Sequence, residues 1–160
     1  MTTIAYHHDS GIIAFDSRGT DDDLITNDQC MKMRRVGDEA WIFCGATCDT
    51  DRFIDHFRSE NPEKPRFPIT VEAIMVTEAG VFRAAVDETG EPWKSHLDGD
   101  TAIGSGRAFA LAAMDHGKSA ETAIRYAMTR DCKTGGSVHV LDVKSMILYE
   151  DKLTLAWVEL

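Results

Sequence analysis

Residues 2–20, TTIAYHHDSGIIAFDSRGT, contain the pattern on which the fold prediction rests. Two short apolar runs, 3–7 and 11–16, are separated by His-Asp-Ser-Gly, which is a turn-forming sequence. The chain is therefore expected to open on a β-hairpin.

A second hairpin is predicted immediately downstream. Residues 30–35 alternate between apolar and polar side chains, and 40–45 form a nearly continuous apolar run. The sequence Val-Gly-Asp-Glu at 36–39 would join them. We thus expect four strands within the first 45 residues.

The pattern changes to that of a helix between Thr47 and Glu60, and Asn61-Pro62 should end this helix. The stretch NPEKPRFP at 61–68 contains too many prolines to be helical.

The second half of the chain predicts a hairpin, two helices and closing strands. Ser119 is the expected N-cap of the second helix, and Gly117 should end the first. The predicted strands are 69–77, 80–86, 137–143, 146–149 and 153–159, and the predicted helices are 107–116 and 120–131.

Composition limits the classes of function. The 160 residues are 43% apolar, enough for one core, so a single domain over 1–160 is expected. A net charge of −10 disfavours binding to nucleic acid or to anionic membranes. No apolar run is long enough to cross a bilayer, and no signal peptide is recognisable, so a cytoplasmic location is expected.

The four cysteines form no Cys-x-x-Cys pair, which disfavours zinc and suits reduced thiols that fill the core. They are Cys30, Cys44, Cys48 and Cys132.

The N-terminus offers a candidate nucleophile. Met1 precedes a small residue, Thr2, and removal of the methionine would leave Thr2 first. The α-amine of an N-terminal threonine has a pKa of about 7.7 to 8.0, so it can accept the proton of its own hydroxyl. Taken alone, Met-Thr-Thr is also a common start of a chain. The pattern of the neighbouring residues has to decide whether Thr2 is a nucleophile.

That pattern includes Asp16 at the end of the second strand and Lys32, 16 residues later. Together with Thr2 it resembles the β-type proteasome subunits and HslV, where a threonine opens the first strand, an aspartate ends the next and a lysine follows at this spacing. The resemblance implies that Lys32 lowers the pKa of the Thr2 hydroxyl and that Asp16 keeps the lysine protonated.

Three further motifs carry the same resemblance. FCGATCD at 43–49 is similar to the HslV string Phe-Ala-Gly-Gly-Thr-Ala-Asp and implies that Gly45 is the oxyanion glycine. AIGSGRAFALAAM at 102–114 places Ser105 where a serine bonds near the terminal amine. Asp131 with Thr134 matches Asp-x-x-Ser-Gly, with threonine in place of serine.

The resemblance implies an α+β fold, namely the four-layer αββα sandwich of the N-terminal nucleophile hydrolases. It further implies a threonine-type endopeptidase that forms a homo-oligomeric ring, stacked as a double ring, and acts on polypeptides without a cofactor or metal. Relatives carry two helices after the oxyanion glycine. Here the second is replaced by residues 61–68, which reduces one helix layer and counts against an ATPase unfoldase partner.

Other interpretations stay open at this point. The chain could be a catalytically silent ring subunit or an amidase for small substrates. Gly-Ser-Gly before a helix could cradle a phosphate, although no Gly-Lys-Ser/Thr follows. The run Asp21-Asp22-Asp23 and the group His7, His8 and Asp9 could bind a metal, but a solvated loop and a hairpin surface are the simpler explanations.

Overall fold

The computed structural model describes residues 2–60, 62–150 and 153–155, and the chain divides into two compact units. The first unit comprises residues 1–32 and 98–160, and the second comprises residues 33–97. Each unit contains its own antiparallel sheet and at least one helix that packs on it.

In chain order the strands are β1 (Thr3–His7), β2 (Ile12–Asp16), β3 (Gly19–Asp21), β4 (Leu24–Asn27), β5 (Met33–Val36), β6 (Glu39–Gly45), β7 (Val71–Thr77), β8 (Gly80–Val86), β9 (Pro92–His96), β10 (Thr101–Gly104), β11 (Val138–Asp142), β12 (Ile147–Glu150) and β13 (Leu153–Leu155). The helices are α1 (Thr50–Arg58), α2 (Arg107–Asp115) and α3 (Ala120–Met128), and a 3₁₀ turn at Thr47–Asp49 precedes α1.

The sheet of the first unit has the order β10-β1-β2-β11-β12-β13 over the described residues. Strand β1 therefore lies inside the sheet, paired with β10 on one side and with β2 on the other. Both faces of β1 and β2 are buried, which explains why their sequences are apolar runs without a polar alternation.

Helices α2 and α3 pack on one face of this sheet through small side chains. The core there is made largely of alanines, among them Ala5, Ala14, Ala110, Ala123 and Ala127. Alanine keeps the helix backbone close to the sheet because it adds only a methyl group to the contact. Gly106, just before α2, consequently lies close to Ala127 near the end of α3 and to Thr3 at the start of β1.

The sheet of the second unit has the order β5-β6-β7-β8-β9, and every neighbouring pair is antiparallel. Helix α1 packs on it through an aromatic cluster. Trp41 and Phe43 of β6 meet Phe53 and Phe57 of α1, with ring centroids 5.3 to 6.2 Å apart. Large rings fill the space between one helix and its sheet.

Most predicted elements occur with ends shifted by one or two residues. Strands 3–7 and 80–86 have the predicted bounds, and Ser119 is the N-cap of α3, its Oγ accepting from the Thr122 N–H at 3.2 Å. Helix α3 ends at Met128 rather than at residue 131, and α1 ends at Arg58. Residues 62–68 are not helical, as predicted. Of the strand predicted at 153–159, residues 156–159 lie outside the described residues.

Three predictions about local structure were wrong. The first 45 residues contain six strands, because the hairpin of β3 and β4 follows the predicted pair. Lys32 precedes β5 instead of lying within a strand that starts at residue 30. Cys48 and Cys132 are exposed, whereas Cys44 is buried and Cys30 partly so.

Trp41 is 1% exposed, Trp93 is 39% exposed, and Trp157 lies outside the described residues. Among the described residues, every helix falls short of the length and apolar character that a membrane span requires.

Candidate active site

The hydroxyl of Thr2 is held by Lys32 in the first unit. Thr2 immediately precedes β1 and is 2% exposed. The Nζ of Lys32 donates to Thr2 Oγ1 and, at 2.6 Å, to the carbonyl oxygen of Arg18. The Ser105 N–H donates to the Thr2 carbonyl at 3.2 Å. Side chain and backbone of Thr2 are thus both fixed by groups from other segments.

Asp16 lies beside this pair at the end of β2 and is fully buried. Its Oδ1 is 3.9 Å from Lys32 Nζ and accepts the Thr3 N–H at 2.9 Å. Its Oδ2 accepts the N–H groups of Gly135 at 2.9 Å and Arg18 at 3.2 Å. The carboxylate therefore joins the start of β1, the end of β2 and the loop before β11.

Burial raises the pKa of Asp16, while the charge of Lys32 and the three backbone N–H groups act in the opposite direction. The net direction is upward. A buried ammonium beside this carboxyl favours its ionised form, and an ammonium hydrogen-bonded to a hydroxyl stabilises the corresponding alkoxide. The arrangement can therefore support a nucleophilic oxygen at Thr2.

A second polar group surrounds Asp131, in the loop after α3. Thr134 Oγ1 donates to Asp131 Oδ2 at 2.5 Å, and the Lys133 N–H donates to Oδ1 at 3.2 Å. Burial acts to raise the pKa of Asp131, but the Ser105 and Thr134 hydroxyls and the Lys133 N–H outweigh it and lower the pKa.

Ser105 follows β10 and its hydroxyl is buried. The Oγ is near enough to the Asp131 carboxylate to lower its pKa, yet it makes no hydrogen bond of regular geometry with the described residues. A buried hydroxyl without a regular hydrogen bond can form one with a further polar group.

The loops that carry these residues are tied together by Ser17 and Arg18. Ser17 Oγ donates to the Asp28 carbonyl at 2.5 Å and accepts the Ser137 N–H at 2.7 Å. The Arg18 guanidinium binds both carboxylate oxygens of Asp28, at 2.7 and 3.2 Å, and the Cys132 carbonyl at 3.1 Å. These contacts position the segment that leads to Lys32.

Gly45 is the last residue of β6, in the second unit. Its φ of +121° is a conformation that favours glycine, and an added Cβ would collide with the Thr70 carbonyl oxygen. Substitution here would strain the backbone whatever the role of its N–H. The oxyanion role of Gly45 stays a prediction.

The predicted site residues divide between the two units. Hydrogen bonds or ion pairs within the first unit link Thr2, Asp16, Lys32, Ser105, Asp131 and Thr134, directly or through Thr3, Gly106 and Gly135. Sequence reasoning gave no role to Thr3, Gly106 or Asp28. Ser17 and Arg18 lie in the stretch 2–20 on which the fold prediction rests, but no role was predicted for either of them.

Neither metal hypothesis acquires a ligand set, since no group of three or more His, Cys, Asp or Glu side chains in the described ranges could hold a metal ion. His7 instead bonds Ser10 through Nδ1 at 2.9 Å, and the His8 N–H donates to Asp100 at 2.8 Å. This is a hairpin surface.

Comparison with known proteins identifies the fold. No family model and no curated protein sequence matches the chain. Among solved structures, Thiobacillus denitrificans BPH in complex with epoxomicin is similar at 17% identity and a TM-score of 0.64, over 89% of this chain and 99% of that one. Eukaryotic HslV from Trypanosoma brucei is similar at 21% identity and a TM-score of 0.64, over 88% of this chain and 99% of that one. The chain has an HslV-like, mixed α/β fold.

Proposed function

We propose that this chain is a threonine-type endopeptidase whose nucleophile is the hydroxyl of Thr2, exposed as the N-terminal residue once Met1 is removed. The observation that carries the proposal is the hydrogen bond from the Lys32 ammonium to the Thr2 hydroxyl, beside the buried Asp16 carboxyl. The Lys32 side chain is only 9% exposed, and withdrawing an ammonium from water is costly, so a merely structural site would gain little from placing it on a threonine hydroxyl.

The reaction would proceed in two halves. The α-amine of Thr2 takes the hydroxyl proton, directly or through a water, and Thr2 Oγ1 attacks the peptide carbonyl carbon. The tetrahedral intermediate collapses by breaking the C–N bond, and the proton passes to the departing amine. Water then hydrolyses the resulting ester, which releases the acid and restores the hydroxyl.

The other residues have supporting roles in this proposal. Lys32 stabilises the developing alkoxide, Asp16 keeps Lys32 protonated, and the Gly45 N–H stabilises the oxyanion. Ser105, whose buried hydroxyl lies beside the Asp131 carboxylate, would orient the α-amine, with Asp131 and Thr134 behind it.

The architecture we propose for the whole chain is a single domain with the four-layer αββα sandwich. In each unit the sheet face away from the helices is also apolar and buried. That face carries Ile4, Ile13 and Phe15 in the first unit and Ile42, Ile74 and Val76 in the second. Two such faces suit packing of sheet on sheet.

We also propose a homo-oligomeric ring, stacked as a double ring, in the cytoplasm. The HslV-like fold supports the ring, and the free thiols of Cys30, Cys44, Cys48 and Cys132 suit a reducing compartment. Residues 62–68 form no helix, which counts against an ATPase unfoldase partner.

Intact mass and covalent labelling test the proposal together. The purified protein should lack Met1 and should react with a peptide vinyl sulfone at Thr2, located by peptide mapping because Cys48 and Cys132 are exposed thiols. Thr2→Ala should abolish that adduct, while Thr122→Ala, an exposed threonine of α3, should leave it unchanged.

Retention of Met1 in assembled protein, or adducts on cysteines alone, would contradict the proposal. Size-exclusion chromatography on the same sample would separate a silent ring subunit, assembled but unlabelled, from an amidase that turns over small amides as a monomer.

A further inference from the structure

A line of buried hydrogen bonds connects Thr3, the residue after the nucleophile, to Asp131. The Gly106 N–H donates to Thr3 Oγ1 at 2.8 Å, and Thr3 Oγ1 lies 2.6 Å from Thr134 Oγ1. Thr134 Oγ1 lies 2.5 Å from Asp131 Oδ2. Thr3 is fully buried and Thr134 is 1% exposed, so water cannot replace these partners.

The direction of each bond follows from its ends. An ionised carboxylate only accepts, and the lowered pKa of Asp131 keeps it ionised, so Thr134 donates its single hydroxyl proton to Asp131. Thr134 can then only accept from Thr3. The backbone N–H of Gly106 can only donate, and Thr3 accepts it. Every proton in the line therefore has one position, and neither hydroxyl is free to rotate.

The line also depends on the absence of a side chain at Gly106. A Cβ there would lie 2.6 Å from Thr3 Oγ1 and 2.9 Å from Thr134 Oγ1, both closer than such contacts occur. Gly106 is the residue before α2. Only glycine at this position allows the backbone to lie so close to the two hydroxyls, because any other residue would add a Cβ there.

Thr3 is also held on its backbone side, because its N–H donates to Asp16 Oδ1 at 2.9 Å. Thr3 is therefore bonded to Asp16 directly through its N–H, and to Asp131 through the Thr134 hydroxyl. Asp16 is in turn close to Lys32. Fixing Thr3 fixes the peptide plane that it shares with Thr2, whose carbonyl is that bonded by the Ser105 N–H.

We propose that Thr3 is a positioning residue, whose hydroxyl aligns Thr2 for attack by locking the first peptide unit of β1 between Asp16 and Asp131. The inference rests on the proposed function, since it requires Thr2 to be the nucleophile. Strand formation alone does not require threonine at position 3, because valine would form the strand equally well. The proposed role does require it, because it depends on the Thr3 hydroxyl.

The test compares Thr3→Val, which keeps the shape, with Thr3→Ser, which keeps the hydroxyl. Thr3→Val should lower both the rate of Thr2 labelling by a peptide vinyl sulfone and the kcat for a peptide amide by roughly 10- to 100-fold, as expected for a misplaced reacting group. KM should stay near the wild-type value. Thr3→Ser should recover the rate to within roughly 3-fold, the equivalent of about 0.7 kcal/mol.

Two further sets of variants complete the design. Thr101→Val makes the same change on the neighbouring strand β10, where the hydroxyl donates to the Gly99 carbonyl at 3.2 Å, and should leave both rates unchanged. Thr134→Val interrupts the same line from the other end. The double variant Thr3→Val, Thr134→Val should be little slower than the slower single variant, because the two hydroxyls act as one unit.

The outcomes separate the two proposals. If the wild-type protein does not label at Thr2, the proposed function fails and the role of Thr3 fails with it. If the wild type labels and Thr3→Val labels equally fast, only the role of Thr3 is overturned. Equal loss in Thr3→Ser and Thr3→Val would also overturn it, because the variant that keeps the hydroxyl would then fail as well. If Thr3→Val does not fold, Thr134→Val against Thr134→Ser decides by the same criteria.

Discussion

The two units differ in the size of the side chains that lie between sheet and helix. In the first unit alanines such as Ala5, Ala14 and Ala123 lie between the sheet and two helices. In the second, Trp41 and Phe53 fill the space between the sheet and one helix. The alanine layer is built from small side chains, and the aromatic layer holds much of its contact area in a few large side chains.

This difference matters for the candidate site. Close approach of α2 and α3 to the sheet brings Gly106 against Thr3 and Thr134, so that short hydrogen bonds can form between them. A thicker helix layer would hold these groups apart. We therefore expect larger side chains to destabilise the first unit and loss of charge there to reduce activity. In the second unit, we expect smaller side chains to be destabilising.

The largest expected effect concerns the charge at Lys32. Lys32→Ala should reduce peptide turnover by roughly 10²- to 10⁴-fold, since it removes the group that stabilises the Thr2 alkoxide. Lys32→Arg should fail as well, because a planar guanidinium cannot replace a compact ammonium. Lys94→Ala, on β9 of the second unit, is the matched control, and steady-state kinetics is the measurement. Full activity in both Lys32 variants would refute the mechanism and the role of Asp16.

Loss of volume should be most damaging at Phe53. Phe53 is fully buried and contacts three other rings, so Phe53→Ala should lower the free energy of unfolding by about 3–5 kcal/mol. Urea unfolding measures it. Phe67→Ala, at a position that is 61% exposed, should change stability by no more than about 0.5 kcal/mol. Similar losses in the two variants would mean that the aromatic cluster has no special part in the second unit.

Added volume should be damaging in the alanine layer. Ala123→Leu inserts a large side chain at a fully buried position of α3 and should cost about 1–3 kcal/mol of unfolding free energy. Ala112→Leu, on the exposed side of α2, should be nearly neutral. Urea unfolding again gives both values. A neutral Ala123→Leu would show that the helix layer can move outwards, contrary to the contrast drawn between the units.

The smallest expected effect is a dependence of stability on pH through Asp131. Because its pKa is lower in the folded state, its ionised form stabilises the fold at pH values above the ordinary carboxyl pKa of about 3.9. This contribution is lost as the pH falls through the folded-state value. Asp131→Asn should therefore be less stable than wild type at pH 7, with the difference shrinking towards pH 3.

Asp115→Asn, an exposed substitution at the end of α2, provides the control for that series. Thermal unfolding at several pH values would follow all three proteins. A difference between wild type and Asp131→Asn that stayed constant with pH would contradict the ionised role of Asp131.

Much of the fold could be predicted because local signals agree with the tertiary structure. The run 3–7 forms β1 since it is apolar, short and followed by turn residues. Ser119 marks the start of α3 because its side chain satisfies an N–H that the helix leaves unpaired. The spacing of Asp16 and Lys32 was informative only through the family resemblance, and the structure brings their charged groups to 3.9 Å.

What was missed depends on contacts that are distant in sequence. Strand β9 begins with Pro92, and all but its first residue are exposed, so only pairing with β8 defines it. The β3–β4 hairpin is polar and exposed along most of its length, without an alternation. The role of Thr3 could not be read from residue type, since its hydroxyl partners lie 103 and 131 positions away.

The interior position of β1 has a consequence for the timing of folding. Thr3 pairs with Gly104, and β2, which adjoins β1, pairs with β11 at residues 138–142. Closing such long loops is slow compared with forming local hairpins or helices. The ribosome would therefore have to synthesise the chain through residue 142 before the surroundings of Thr2 could assemble. The second unit, continuous from residue 33 to 97, could condense much earlier. We expect any peptidase activity to appear only after residues 138–142 have been synthesised, which would protect the nascent chain from its own nucleophile until then.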